Sequence, residues 1–310
     1  ITFPFLLLQY SVYMRVAHRR YIIIIFVIGA LVLSACGAEI NRSQNANMVD
    51  SVTLTNKGSD TIVNLALAWA EAYHVTYPNI SVSVTGGGSG TGIAAMINGT
   101  VDIANASRRM KEKEVANAKE NGFVPVEYVI ARDGIAVIVN PQNPINRLTL
   151  QQLSDIFSGK ITNWVDVGGE NRPIVCLSRE VNSGTHVYFL ESVVRMGNKN
   201  DETFFSPSTL LLPSSEGITS EISHNPNAIG YDGLGYVTDA VKAVAVSPID
   251  DGLYIMPTIK TVIDDTYPIS RALYMYLPGE ATGYTKDYID WIYSEQAQLI
   301  VEKLGFVPVN

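Results

Sequence analysis

Apolar positions change their period repeatedly along this chain, and the changes divide it into short elements. From Ser51 onward, β-branched runs alternate with amphipathic stretches. Ser51-Val-Thr-Leu-Thr55 predicts a strand. Ile62, Leu65, Trp69 and Tyr73 then recur at helical spacing and predict a helix over 60–75. A strand over 80–85, a Gly-rich turn, a helix over 91–98 and the short strand Val101-Asp-Ile-Ala104 follow. Residues 135–140 are almost wholly apolar and read as a buried strand, and 151–158 as a short helix. Residues 174–177 predict a strand, and 185–195 a helix carrying Val187, Leu190 and Val194. A late strand over 272–277 ends at the Pro278-Gly279 turn. Residues 284–304 read as one long terminal helix with Tyr288, Trp291, Ile292, Leu299 and Ile300 inward. Alternating strands and helices predict an α/β sheet with helices on both faces.

The first 50 residues follow a different pattern. Arg15, His18, Arg19 and Arg20 flank an apolar run over 21–33, which ends in Leu33-Ser34-Ala35-Cys36. A spanning helix needs about 20 apolar residues, so this shorter run reads as the core of a secretory signal, residues 1–35. Leu-Ser-Ala-Cys resembles the bacterial lipoprotein signal, which implies lipidation of Cys36. The alternative is an uncleaved N-terminal anchor, and both readings place the remaining chain outside the cytoplasm, attached to a membrane. Met14 is the expected start of translation, which leaves residues 1–13 untranslated. Residues 36–50 are the lipidated Cys and a polar tether.

The sequence has 310 residues, 47% hydrophobic and 17% charged, a globular composition with length for two domains. Its formal net charge is −8; cleavage before Cys36 leaves 19 Lys+Arg against 30 Asp+Glu, or −11. No general basic footprint for nucleic acid or anionic lipid remains. The same acidity predicts no long-range steering of an anion. Cys176 would be the one unmodified cysteine, so no intramolecular disulfide is expected, and its apolar run predicts a small buried side chain. No His, Cys or carboxylate cluster has metal-ligand spacing, so neither a metal nor another cofactor is expected. The histidines after Cys36 are His74, His186 and His224. Only His186 lies near a candidate site, where it reads as a helix residue, and no catalytic residue is assigned.

Three turns share one arrangement, a strand end followed by Gly, Ser or Thr opening a helix. They are Gly58-Ser59-Asp60-Thr61, Gly86-Gly-Gly-Ser89-Gly90-Thr91-Gly92 and Ser183-Gly184-Thr185. A helix start presents unpaired N–H groups and partial positive charge, which attract an anion. Each turn alone reads equally as a plain N-cap. The second, with five glycines in seven residues, exceeds what a cap requires. It also lacks the Lys of a P-loop, Ile93 standing there, and the spacing of a dinucleotide fingerprint. Arg179, four residues before Ser183, is placed to aim a planar guanidinium at an anion held by the third turn, or to stand as an exposed structural Arg.

These turns, with Asn105-Ala-Ser-Arg108, Asp133-Gly-Ile-Ala-Val137, Ile156-Phe-Ser-Gly-Lys-Ile-Thr-Asn-Trp164, Gly230-Tyr-Asp-Gly-Leu-Gly-Tyr236, Tyr267-Pro-Ile-Ser-Arg271 and Lys303-Leu-Gly-Phe-Val-Pro308, resemble the phosphate-binding proteins of phosphate-specific ABC transport. The similarity runs in order from about residue 51 to 308. It implies a two-lobed periplasmic-binding-protein-like α/β fold of type II, with two chain crossovers near 131–134 and 266–270 and the ligand in the interlobe cleft. The implied lobes are 51–131 plus 267–310, and 132–266. The implied function is extracytoplasmic capture of inorganic phosphate and delivery to the permease subunits of an ABC importer, without catalysis. Carried over, the phosphate-binding candidates are Ser59, Asp60, Thr61, Ser89, Ser107, Arg179, Ser183, Gly184 and Thr185.

One position departs from the family. Many members carry Asp where this chain has Arg108, and that Asp accepts the proton of hydrogen phosphate. Asp60 is the expected replacement, with Asp133 second. Another tetrahedral oxyanion (sulfate, molybdate or tungstate) is the alternative ligand, and an exported hydrolase the alternative activity. Ser89 and Ser183 lack a nucleophile-elbow sequence, which argues against the hydrolase.

Overall fold

The computed structural model describes residues 51–309. The expected signal, Cys36 and the tether lie outside the described residues. Strands β1 (Val52–Gly58), β2 (Ile80–Thr85) and β3 (Ile103–Ala106) run parallel around β1. Helix α1 (Asp60–Thr76) follows β1, α2 (Ser89–Ile97) follows β2, and α3 (Glu112–Glu120) follows β3. The expected stripe forms: Ile62, Leu65, Trp69 and Tyr73 are fully buried, and Trp69 Nε1 donates to the Ala297 carbonyl at 2.8 Å.

The expected strand over 135–140 is the second half of a longer one, β4 (Val126–Val139). Its first part pairs antiparallel with β10 (Ser270–Leu277), and Ile135–Val139 pairs with β8 (Ala228–Gly233). One continuous strand therefore belongs to both halves of the molecule. The chain returns just before β10, where the Ile135 N–H donates to the Ile269 carbonyl at 2.7 Å. Among the described residues ten strands form one sheet: eight follow the path β2-β1-β3-β10-β4-β8-β6-β7, and off it β9 (Lys242–Ser247) pairs β4 and β5 (Arg147–Thr149). Here β6 is Val175–Arg179 and β7 Leu210–Leu212.

Two lobes result, each on its own apolar core. Trp69, Tyr73, Leu273 and Tyr288 lie in the first. Phe157, Trp164, Phe189 and Tyr231 lie in the second, with Phe189 and Tyr231 stacked at 3.7 Å between ring centroids. Cys176 is buried and free, and burial pushes its thiol up to about 12. Helix α4 (Leu150–Ser158) carries a capping box at Thr149 and a left-handed cap at Gly159. The remaining helices are α5 (Gly184–Phe189), α6 (Ser215–His224), α7 (Ile259–Ile263), α8 (Gly283–Ile292) and α9 (Glu295–Lys303).

Two expectations are corrected. The single terminal helix is two, because Ser294 caps α9 by accepting from the Ala297 N–H. The restart changes the helical phase, so Leu299 is 58% exposed while Ala297 and Val301 are buried. The helix expected over 185–195 is α only to Phe189 and then π over Leu190–Val194.

Candidate functional site

The three turns converge where the lobes face each other. Ser59 precedes α1 but makes no side-chain cap bond, and it is buried. Thr61, one turn position later, is also buried and meets Thr185 of the other lobe, Oγ1 to Oγ1, at 2.7 Å. Helix α2 begins at Ser89 after Gly88, whose φ of 90° is the left-handed region that glycine adopts without strain. The Ser89 hydroxyl accepts from the Ser107 N–H at 3.0 Å and lies 3.2 Å from the Ser107 hydroxyl. Only the third turn caps in the ordinary way, Ser183 Oγ accepting from the Thr185 N–H. A Cβ on Gly184 would meet the hydroxyls of both Ser89 and Ser107 at 2.4 Å, so only hydrogen fits there. Thr61, Ser89, Ser107, Ser183, Gly184 and Thr185 thus form one buried patch of hydroxyls and backbone spanning both lobes, and Ser59 is buried two residues before Thr61.

Arg179 is not the exposed structural Arg that the sequence left as its other reading: it ends β6 and is 1% exposed. Its Nη2 donates to Asp60 Oδ2 and to the Pro213 carbonyl, both at 2.8 Å, and its Nη1 to Ser215 Oγ at 2.8 Å. Its Nε is buried with no protein partner among the described residues. Ser215 passes the contact on, donating to Asp232 Oδ1 at 2.9 Å. Asp232 is fully buried, and desolvation lifts its carboxyl to about 6 against the opposing charge of Arg179.

Asp60 opens α1 and turns its carboxylate outward from the helix. Besides Arg179 it accepts from the Gly87 N–H at 2.8 Å, which ties the first turn to the second. The lobes also clasp through Asn182: its Nδ2 donates to the Gly87 carbonyl at 2.9 Å, and its carbonyl accepts from the Gly90 N–H at 3.0 Å.

Arg108 is buried. Its guanidinium forks onto Glu114, Nη1 at 2.8 Å and Nη2 at 2.7 Å. Burial works to raise the Glu114 carboxyl, but the Arg108 bonds and the Lys111 N–H hold it below its ordinary range.

Arg271 was missed as a site residue. It is the second residue of β10, at 7% exposure, its Nη2 donating to Thr185 Oγ1 at 2.9 Å and Thr61 Oγ1 at 3.3 Å. Nη1 donates to the Ser107 carbonyl at 2.9 Å. Asp133, fully buried in β4, accepts from Nη2 at 3.0 Å and holds the guanidinium there. Burial raises the Asp133 carboxyl, against the charge and hydrogen bonds of Arg271 and the Leu234 N–H. The one sequence signal for Arg271 was its place in Tyr267-Pro-Ile-Ser-Arg271.

The patch joins two guanidinium groups, hydroxyl donors and helix starts, which suits a small oxyanion. It offers little to nucleophilic chemistry, since His186 pairs through Nδ1 with Ser178 at 3.0 Å, not with Ser183. Desolvation lowers the His186 imidazole below its ordinary value, which keeps it neutral. Among the described residues, no group of three or more His, Cys, Asp or Glu side chains is arranged to hold a metal, and no helix is long and apolar enough to cross a membrane.

Comparison with known proteins agrees with this geometry. A family model described as the PBP superfamily domain matches residues 43–296. The phosphate-binding protein PstS of Pseudomonas aeruginosa is 32% identical over 298 residues, covering 90% of each chain. PstS of Bacillus subtilis is 32% identical over 287 residues, with the same coverage. Among solved structures, a Clostridium perfringens protein assigned as a phosphate ABC transporter substrate-binding protein, with bound phosphate, is 37% identical at a TM-score of 0.74, covering 83% of this chain and 100% of that one. An ABC-type phosphate transport receptor from Vibrio cholerae is 31% identical at a TM-score of 0.66, covering 82% and 99%.

Proposed function

The chain belongs to the phosphate-binding proteins of the PBP superfamily, and from that premise we propose that it captures inorganic phosphate outside the cytoplasm and delivers it to an ABC importer. The observation that carries the reading is the meeting of Arg179, Arg271 and three helix starts in one buried patch. Ser59, Thr61, Ser89, Ser107, Ser183, Gly184 and Thr185 donate to the phosphate oxygens, Arg179 and Arg271 balance their charge, and Asp60 accepts the phosphate proton.

Sulfate carries no proton at neutral pH, so a facing carboxylate repels it without a compensating bond. An unpaired buried polar contact costs about 1–3 kcal/mol, which is about fivefold to 150-fold in affinity. The lobes are 51–131 plus 267–310, and 132–266, and phosphate stabilises their closed arrangement by touching both. The motif ending at Cys36 supports lipid anchoring, with residues 37–50 as tether and permease subunits as the receiving partner.

The test is calorimetry on a soluble form beginning at Gly37, stripped of endogenous phosphate and titrated with phosphate and then sulfate. Phosphate binding without sulfate heat is expected. Equal or reversed preference, a consequence open to a chain with Arg108 turned onto Glu114, overturns the phosphate assignment in favour of another tetrahedral oxyanion.

A further inference from the structure

Beside the site, a cavity of about 740 Å³ lies between the two lobes. Six cationic residues line it: Arg108, Arg109, Lys111, Lys113, Lys199 and Arg271. Four of them come from the six-residue stretch Arg108-Arg109-Met110-Lys111-Glu112-Lys113, and Lys199 faces them from the other lobe. In a chain of net charge −8 this is a local reversal of sign. The cavity also leads to the site, because its wall includes Arg271, whose guanidinium bonds the hydroxyls of Thr61 and Thr185.

The three arginines are matched by carboxylates, Arg108 by Glu114, Arg109 by Glu127 and Arg271 by Asp133. Lys111, Lys113 and Lys199 are exposed and make no ion pair among the described residues. They outnumber the two lining acids, Glu112 and Glu191. Lys111 and Lys113 also stand at the start of α3, a nine-residue helix whose N-terminal dipole has the same sign. Low-dielectric walls focus such a field into the opening, and only charges within roughly 8–10 Å of an approaching ion act on it at ordinary salt.

We propose that this basic vestibule is the port through which inorganic phosphate reaches the buried site, with Lys111, Lys113 and Lys199 accelerating capture. The whole-chain acidity, which taken alone predicts no steering, is overridden at the mouth. The proposal rests on the phosphate reading.

The test is stopped-flow binding of inorganic phosphate, followed by intrinsic fluorescence in the full chain. Wild type is compared with the triple variant Lys111→Gln/Lys113→Gln/Lys199→Gln, and with Lys260→Gln/Lys286→Gln/Lys303→Gln, which changes net charge equally outside the vestibule. At ~20 mM salt the vestibule variant should associate about tenfold more slowly, the lower end of electrostatic steering. Its dissociation rate should be unchanged, and the difference should vanish near ~0.5 M salt. The control should match wild type. Equal association rates at low salt, a loss confined to dissociation, or an equal loss in the control would each overturn the port. A wild type that binds sulfate but not phosphate would overturn the phosphate reading while leaving an anion port testable by the same rates with sulfate.

Discussion

Asp60 and Arg179 meet at 2.8 Å across the cleft, an acid opening a helix of one lobe against a base ending a strand of the other. The guanidinium is 1% exposed and the carboxylate 16%, so the pair sits at the inner edge of solvent. On the proposed function, closing the lobes would bring together the positive group that attracts an oxyanion and the carboxylate that accepts its proton. With Arg108 committed to Glu114, Asp60 is the carboxylate that reaches this edge.

Asp60→Asn keeps an oxygen for the Gly87 N–H but removes the charge. The phosphate-to-sulfate affinity ratio is expected to fall about fivefold or more, the cost of an unmatched buried contact. Parallel titrations with the two anions measure it. An unchanged ratio would reduce Asp60 to a counter-ion of Arg179 and pass the acceptor role to Asp133.

Arg179→Ala should weaken phosphate by about 1.5–3 kcal/mol, the range for hydrogen bonds to charged groups. Arg179→Lys should recover only part, because a single ammonium cannot reproduce the fork that reaches Asp60, Ser215 and Pro213 together. Calorimetric affinities within twofold of wild type for the alanine variant would remove Arg179 from the binding site.

What the sequence made legible was local. Ser59, Ser89 and Ser183 stood out because three Gly- and hydroxyl-bearing strand-to-helix turns recur in one chain, although each alone reads as a plain N-cap, and the helix stripe through Trp69 is a period that one segment displays by itself. Arg271 was illegible as a ligand because its partners lie far off in the chain: Thr185 is 86 residues away and Ser107 164. The pairing of β10 with β3 and β4 sets Arg271 beside Ser107 and Asp133, and β4, paired onward through β8 to β6, carries the turn of Thr185 to it from the other lobe. The break at Ser294 was hidden for the opposite reason, since apolar residues continue on either side of it and mask the change of phase. Asp232 carried no signal beyond its place in Gly230-Tyr-Asp-Gly-Leu-Gly-Tyr236, and it is β8 that carries it to Ser215.

Gly184→Ala tests lobe closure. The added methyl carbon would lie 2.4 Å from two hydroxyl oxygens belonging to the other lobe, with little slack in a buried patch. Overpacking of this kind costs about 1–3 kcal/mol, and here the open form escapes it. Phosphate affinity should fall about fivefold or more while the melting temperature of the phosphate-free protein barely moves. A comparable loss in both would mean that the residue serves folding rather than closure.

Asp232 predicts how stability changes with pH. Its carboxyl ordinarily titrates at 3.8 and is lifted to about 6 in the folded protein, first by desolvation. Between these values the folded state holds a proton that the unfolded state has lost, so this group's contribution to stability falls as pH rises through the window. The full effect is at most about 3 kcal/mol, from roughly two units of displacement. Asp232→Asn retains an oxygen for Ser215 Oγ and the Gly233 N–H but does not titrate. The difference in unfolding free energy, variant minus wild type, should therefore rise between about pH 4 and pH 7. Denaturant melts of both proteins at several pH values give that difference directly. A flat difference would mean that Asp232 remains charged throughout, with the Arg179 guanidinium, reached through Ser215, fully offsetting its burial.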